Sequence, residues 1–342
     1  GLSNAVHVVN TMVPEGPAAV PQPADTHWQS AIVAGQALLD QRFPAASRGQ
    51  AHFEAVLKRV RRWLAALLET PAALAPRERA AAGDVLGRLG DGRPGVGVAV
   101  VSAVHPELAE GPPLPDLVWC EVAAGPFLMG SLEDEPDAYD DEKPQHTLDL
   151  PAFLVSRYPI TNAQYRPFVA GGGYDEARYW TADGWAWRTG QREPDLSPID
   201  DERVREDWSE WLANRPPEKR DCPFWSDHPS WGLDNRPVVG VTWYEALAYC
   251  QWLSDLSGRD YRIPTEAEWE KAARWTGTHP NIFPWGDTWD PEKCNHLKDS
   301  NPAGGGTERL QSAPVGSYPD GASPYGCLDM VGNAYEWVAD WY

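Results

Sequence analysis

The sequence predicts a mixed protein in two parts: a small helical region over residues 1–110, then a tryptophan-rich domain over 111–342 built of short strands, capped helices and irregular loops. Three observations predict it. Apolar residues recur at helical spacing through most of the first hundred residues. The chain holds 18 Trp, 30 Gly and 33 Pro, which suits a core of aromatic plates between loops better than long regular elements. Between the parts, residues 91–116 are rich in Gly, Pro and Val, end in GPPLPD, and read as a linker.

Three segments carry the helical reading. His27 to Gln41 follows a Pro-rich approach and a candidate cap at Asp25/Thr26. His52 to Thr70 places Phe53, Val56, Leu57, Val60, Leu64, Leu67 and Leu68 on one face. Pro76 to Leu89 opens on Pro and stops at Gly90, matching the usual asymmetry of helix ends. Short helices in series suggest a small bundle or the end of a helical-repeat array. The basic cluster Lys58, Arg59, Arg61 and Arg62 reads as a solvated helix face.

Downstream, the punctuation is local and specific. Thr242 precedes Glu245, and Thr265 precedes Glu268, so each pair forms a capping box opening a helix. In the second helix Trp269, Ala272 and Ala273 would face inward. Thr161-Asn162 caps a helix containing Tyr165 and Phe168. Residues 171–236 read as an insertion decorating the domain, with one short helix around Arg203 to Asn214 and loop elsewhere. Its Trp180, Trp185 and Trp187 read mostly as core packing, with a contribution to an exposed protein-binding face as the alternative.

Several motifs occur in a fixed order. LVWCEVAAGPFLMGS (117–131) reads as an opening hairpin, a strand, a Gly turn and a second strand ending in Met-Gly. An acidic stretch, EDEPDAYDDEKPQHTLDLP, leads into a further strand. RPVVGVTWYEALAYCQWLSDLSG, YRIPTEAEWEKAARW and the aromatic turn FPWGD follow, and the chain closes on a segment containing GNAYEW. Together these resemble the formylglycine-generating-enzyme/sulfatase-modifying-factor family over about 225 residues. The resemblance implies an α+β, C-type-lectin-like fold with little regular secondary structure, preceded here by the helical region. A shorter stretch, RERAAAGDVLGRLGDGRPGVG, is similar to one that precedes such domains in bacterial STAND-type (NACHT-like) signalling proteins. No GxxxxGK[ST] loop occurs, so an NTPase module would belong to a longer polypeptide, and the opening Gly in place of Met suits a processed start or a piece of a longer protein.

The resemblance also carries site expectations. Active members use two cysteines downstream of GN-x-x-EW, with copper assisting. Tyr342 precedes that region, so the family's C-terminal strands are expected to be lacking, no catalytic residue is assigned, and copper is not expected. Of the five cysteines, Cys120 and Cys250 read as buried hydrophobes, while Cys294 and Cys327 sit in loops beside motif residues, with reactivity as the alternative to a structural role; Cys222 completes the set. No CxxC occurs, which argues against zinc or thioredoxin-type chemistry. His146, His279 and His296 form no HExxH cluster. The resemblance implies two structural calcium sites, a hard cation on loop carbonyls and carboxylates. One maps onto Asp329, Gly332, Ala334 and Glu336. The other would start at Asn295 and the carbonyl of His296 and draw on Thr307 to Arg309, where Thr307 replaces an expected acid.

Net charge is −21, which argues against a nucleic-acid backbone as partner. No apolar run is long enough to span a membrane and no secretory signal opens the sequence, so a bacterial cytoplasm is the expected setting. The functional expectation is a non-catalytic module binding an unknown protein or small ligand. Its recognition surface would lie near the C-terminal end and could be hypervariable, as in the variable proteins of diversity-generating retroelements. The alternative is a formylglycine-generating oxidase or related oxidoreductase.

Overall fold

A computed structural model describes residues 2–18, 21–46, 48–99, 112–135, 138–197, 199, 201–296 and 311–340. The helical region comprises α1 (Leu2–Met12), α2 (His27–Asp40), α3 (Phe43–Ala46), α4 (Ala51–Glu69) and α5 (Pro76–Leu89). α4 buries Val56, Leu57, Val60, Trp63, Leu64, Leu67 and Leu68 on one stripe, each worth about 1.5–3 kcal/mol for the larger apolar side chains. α2 packs so closely that a Cβ on Gly35 would lie 2.6 Å from Val85 and 3.3 Å from Leu64. α1 lies outside the three segments read from sequence; its Ala5, Val6 and Val9 join the same core. Thr26 precedes α2 without a capping hydrogen bond, and Asp25 accepts the His27 N–H instead, at 2.9 Å. The basic cluster is only partly solvated. Arg59 pairs with Glu15 at 2.5 Å, and Arg61 donates to the Leu89 carbonyl.

Among the described residues the second part holds four strands, β1 (Trp119–Val122), β2 (Gly125–Met129), β3 (His146–Leu150) and β4 (Phe153–Ser156). The expected β1–β2 hairpin does not form. β1 pairs antiparallel with β4, and β2 with β3. The register is continuous across both pairs: Val122 faces Phe153 and Gly125 faces Leu150. The four strands therefore make one long ribbon whose ladder is interrupted at 123–124 and 151–152. Pro151 has no N–H to give at that point. The described residues of the acidic stretch, 130–135 and 138–145, lie between β2 and β3 at the ribbon's end.

The remaining helices are α6 (Asn162–Ala170), α7 (Ala182–Arg188), α8 (Glu202–Ala213), α9 (Trp243–Ser257) and α10 (Glu266–Arg274). Capping boxes open α9 and α10 as the sequence indicates, with Thr242 N–H to Glu245 at 2.7 Å and Thr265 N–H to Glu268 at 2.9 Å, and the Thr161 cap of α6 proves to be a capping box with Gln164. In α10, Ala272 and Ala273 are buried and Trp269 packs half-buried against them. Helix and sheet are mixed, with little regular strand.

The insertion is no decoration. Its Tyr174, Trp180 and Trp187 belong to the same buried cluster as Tyr165 and Phe168 of α6 and Tyr249, Trp252 and Leu253 of α9. Trp180 and Trp187 keep 7% and 2% of their exposure and Trp185 packs half-buried beside them, so they offer no exposed binding face. Burying that much aromatic area outweighs any gain from leaving it for a partner.

The helical region is stitched to the second part through α5 and residues 91–98. Arg79 Nε donates to the Ser317 carbonyl at 3.1 Å, and Arg236 Nη2 reaches Asp84 at 2.6 Å. Asn235 Nδ2 donates to the Gly83 carbonyl at 2.9 Å, and a Cβ on Gly87 would collide with the Asn235 amide at 2.3 Å. The Gly95 and Val96 carbonyls accept from Gln164 and Thr161, at 3.0 and 2.6 Å. The expected linker therefore begins as packed chain; its residues 100–111 lie outside the described residues.

Candidate functional site

The chemistry-bearing side chains of the second part gather where the closing segment, 311–340, crosses β1 and α10. The segment is irregular because its residues demand it. Asp329, Gly332 and Asn333 all adopt left-handed backbone, with φ of 63°, 76° and 64°. Gly and Asn tolerate that region better than other residues. A Cβ on Gly332 would lie 2.3 Å from the Asn295 carbonyl, so only glycine permits the close approach. Asn333 then ties three strands of chain together. Its N–H donates to the Asn295 carbonyl at 2.9 Å, its Oδ1 accepts from Ala313 N–H at 2.6 Å, and its Nδ2 donates to the Ala313 carbonyl at 3.2 Å.

Asp329 is buried and accepts the Gly316 N–H at 2.7 Å. Burial pushes its carboxyl up to about 6, against the Gly316 hydrogen bond and the nearby Arg93 charge. Glu336 accepts the Trp269 indole N–H at 2.6 Å. Although the residue is exposed on the protein surface, loss of water around its carboxyl pushes it to about 7, and the Asp329 charge adds to the rise. The two acids expected to share one site thus lie within each other's field. Of the other two members, the Gly332 carbonyl accepts the Ala334 N–H at 2.8 Å.

Asn295 and His296 do not assemble a second such site among the described residues. The Asn295 side chain donates to the Gln311 carbonyl at 3.0 Å. His296 Nε2 faces the Pro291 carbonyl at 3.2 Å while its ring stacks edge-on against Trp289, 5.0 Å between centroids. Thr307 to Arg309 lie outside the described residues. Among those residues no three His, Cys, Asp or Glu side chains come together.

Cys294 and Cys327 lie in irregular segments, as their loop reading has it, but neither is open to solvent. Cys294 and Cys327 are buried, at 4% and 0% exposure. Cys120 on β1 shares a buried cluster with Cys327, near enough for the two side chains to act on each other. The Cys327 side chain draws the Cys120 thiol down to about 7, with Arg157 adding to the pull, and is itself pushed up in turn. The Cys250 thiol moves the other way from Cys120, pushed up to about 12 by burial. Sequence spacing could not show the Cys120–Cys327 pair, because its members lie at opposite ends of the domain. Trp269 as partner of Glu336 was equally hidden, although its place on the inward face of α10 was legible.

The Sulfatase-modifying factor enzyme 1-like domain matches residues 104–342. The chain belongs to this family. Among relatives of the sulfatase-modifying-factor domain, a protein named hercynine oxygenase from Mycolicibacterium thermoresistibile is 38% identical over 220 residues, 63% of this chain and 42% of that one. The hercynine oxygenase of Mycolicibacterium smegmatis is 34% identical over 289 residues, 76% of this chain and 60% of that one. A formylglycine-generating enzyme from Thermomonospora curvata is 34% identical over 231 residues, 65% and 70% of the two chains. The chain thus spans about half the length of the hercynine oxygenases it matches. These likenesses overturn the expectation of a non-catalytic binding module, for the relatives are named as enzymes, an oxygenase and a formylglycine-generating enzyme, and they favour the alternative reading.

Proposed function

We propose that the protein is an oxygenase or oxidase of the sulfatase-modifying-factor family, with hercynine as the first substrate to test. The observation that supports this reading is the reach of the likeness to the Mycolicibacterium smegmatis hercynine oxygenase. An alignment covering 76% of the chain is longer than residues 104–342 alone can supply, so it takes in part of the helical region as well. The packing of α5 and residues 91–98 against the family domain gives that shared extent a physical sense, since the two parts then act as one body. The test is oxygen uptake by the full-length protein with hercynine, in parallel with a cysteine-containing peptide, each with iron(II) or copper(I) supplied. Substrate-dependent uptake with an oxidised product by mass spectrometry is expected. Absence of uptake with both substrates and both metals would overturn the reading.

A C-type-lectin-like topology is the finer fold assignment we attach to this proposal, supported by the long interrupted ribbon and scarce strand. We also propose a structural calcium ion held by Asp329 and Glu336 with the Gly332 and Ala334 carbonyls. Its support is the pair of carboxyls driven upward by burial and, at Glu336, by the neighbouring charge, a strain that a divalent cation would relieve. The Gly332 carbonyl keeps a second lone pair for an ion beside its Ala334 bond. Asn295 and His296 are not included, because Thr307 to Arg309, the rest of their expected set, lie outside the described residues.

A further inference from the structure

The geometry points to Cys120 and Cys327 as an oxidisable dithiol, a site at which a small peroxide converts two buried thiols into a disulfide joining β1 to the closing segment. The backbone holds the pair in place from both sides. Cys120 lies on β1 opposite Val155 of β4. Just past β4, Arg157 donates its N–H to the Val118 carbonyl and accepts the Leu328 N–H on its own carbonyl, both at 2.8 Å. The residue preceding Cys327 is Gly326, with φ of 86°, and a Cβ there would sit 3.9 Å from Cys120 Sγ. A turn fixes the approach: Ser323 N–H donates to the Cys327 carbonyl at 2.8 Å, and Cys327 N–H to Ser323 Oγ at 3.2 Å.

The chemistry divides unequally between the two sulfurs. Cys120 keeps 7% of its exposure and Cys327 none, so an oxidant meets Cys120 first. The Cys327 side chain and the Arg157 charge favour the Cys120 thiolate, the reactive form. Cys120 sulfur attacks one peroxide oxygen, the O–O bond breaks, and hydroxide leaves, giving a sulfenic acid. Cys327 sulfur then attacks that sulfur. The S–O bond breaks and the hydroxyl departs with the Cys327 proton as water. In total the two thiols lose two electrons and two protons, and one peroxide becomes two waters. A neighbouring resolving thiol is what distinguishes such a pair from a cysteine open to over-oxidation.

The test treats the full-length native protein with stoichiometric hydrogen peroxide, blocks remaining thiols, and maps peptides by mass spectrometry. A Cys120–Cys327 linked peptide, an intact mass lower by two hydrogens and reversal by dithiothreitol are expected, with Cys250 still alkylatable after unfolding. In Cys327→Ser, Cys120 should be trapped as sulfenic acid by dimedone at a yield at least several-fold above wild type. Recovery of both cysteines reduced in wild type, or Cys120 found as sulfinic acid without the linked peptide, would overturn the inference. The wild-type mapping decides the matter even if the variant fails to fold. It is independent of any activity toward hercynine, so either reading can fail alone.

Discussion

Arg215, from the insertion, and Glu245, in the first turn of α9, form a fully buried two-pronged ion pair, Nη1 to Oε2 at 2.9 Å and Nη2 to Oε1 at 2.5 Å. Glu245 also accepts the Thr242 N–H and the Tyr174 hydroxyl, the latter at 2.6 Å, so one carboxylate serves as helix cap and as insertion anchor. The guanidinium lies over Trp187 and Trp211, 5.2 and 5.3 Å from their ring centroids. Removing one partner strands the other charge without water. Glu245→Gln should cost about 3–5 kcal/mol in urea unfolding. Arg215→Met with Glu245→Leu should cost much less than the sum of the single changes, and additive losses in that double-mutant cycle would show the pair to be uncoupled.

Lys271 of α10 reaches into the interruption of the ribbon, donating to the Ala123 and Gly125 carbonyls at 2.9 and 2.8 Å. It supplies the donors that the broken ladder lacks. Lys271→Met keeps the apolar length but leaves both carbonyls unmatched, and should cost about 1–3 kcal/mol. Hydrogen exchange should quicken across β1 and β2. Unchanged exchange there would mean that water replaces the ammonium at no loss.

The seam between the helical region and the family domain rests on Arg79 and Arg236. Arg79 bonds the Ser317 carbonyl and lies 3.3 Å from Asp320, and Arg236 pairs with Asp84. Arg79→Ala should weaken the seam by about 2 kcal/mol, as loss of a charged hydrogen bond predicts. Limited proteolysis should then cut sooner between residues 91 and 116 while α9 and α10 stay protected. Cleavage that begins inside 236–275 would place the weakness elsewhere.

Calcium should act through Asp329 and Glu336. Binding to the folded state alone adds about 2.7 kcal/mol at a hundredfold excess over Kd, a rise of a few degrees in Tm. Chelator should lower Tm, calcium restore it, and Glu336→Ala erase the response. Both carboxyls titrate higher in the folded protein than in the unfolded chain, so the stability this lends is complete at acid pH. It is lost as pH rises through about 6 for Asp329 and about 7 for Glu336. The chelator effect should therefore be larger at pH 8 than at pH 5. A melting curve indifferent to chelator at both would leave these acids purely structural.

Much of this protein was legible locally. The ends of α5, α9 and α10 follow from residues three or four apart, because a cap and the amide it satisfies are neighbours along the chain. The aromatic core followed from composition, and the family from the order of short motifs. What sequence could not decide is which distant segment meets which. The β1–β4 pairing in place of a β1–β2 hairpin, the Arg215–Glu245 pair and the Cys120–Cys327 contact each join residues far apart in the chain. Their energies arise only once packing removes water from both partners, so no local pattern of residue types announces them. The sequence by itself determined the longer capped helices and the family; the tertiary structure decided the partners and added α1, α3 and α7.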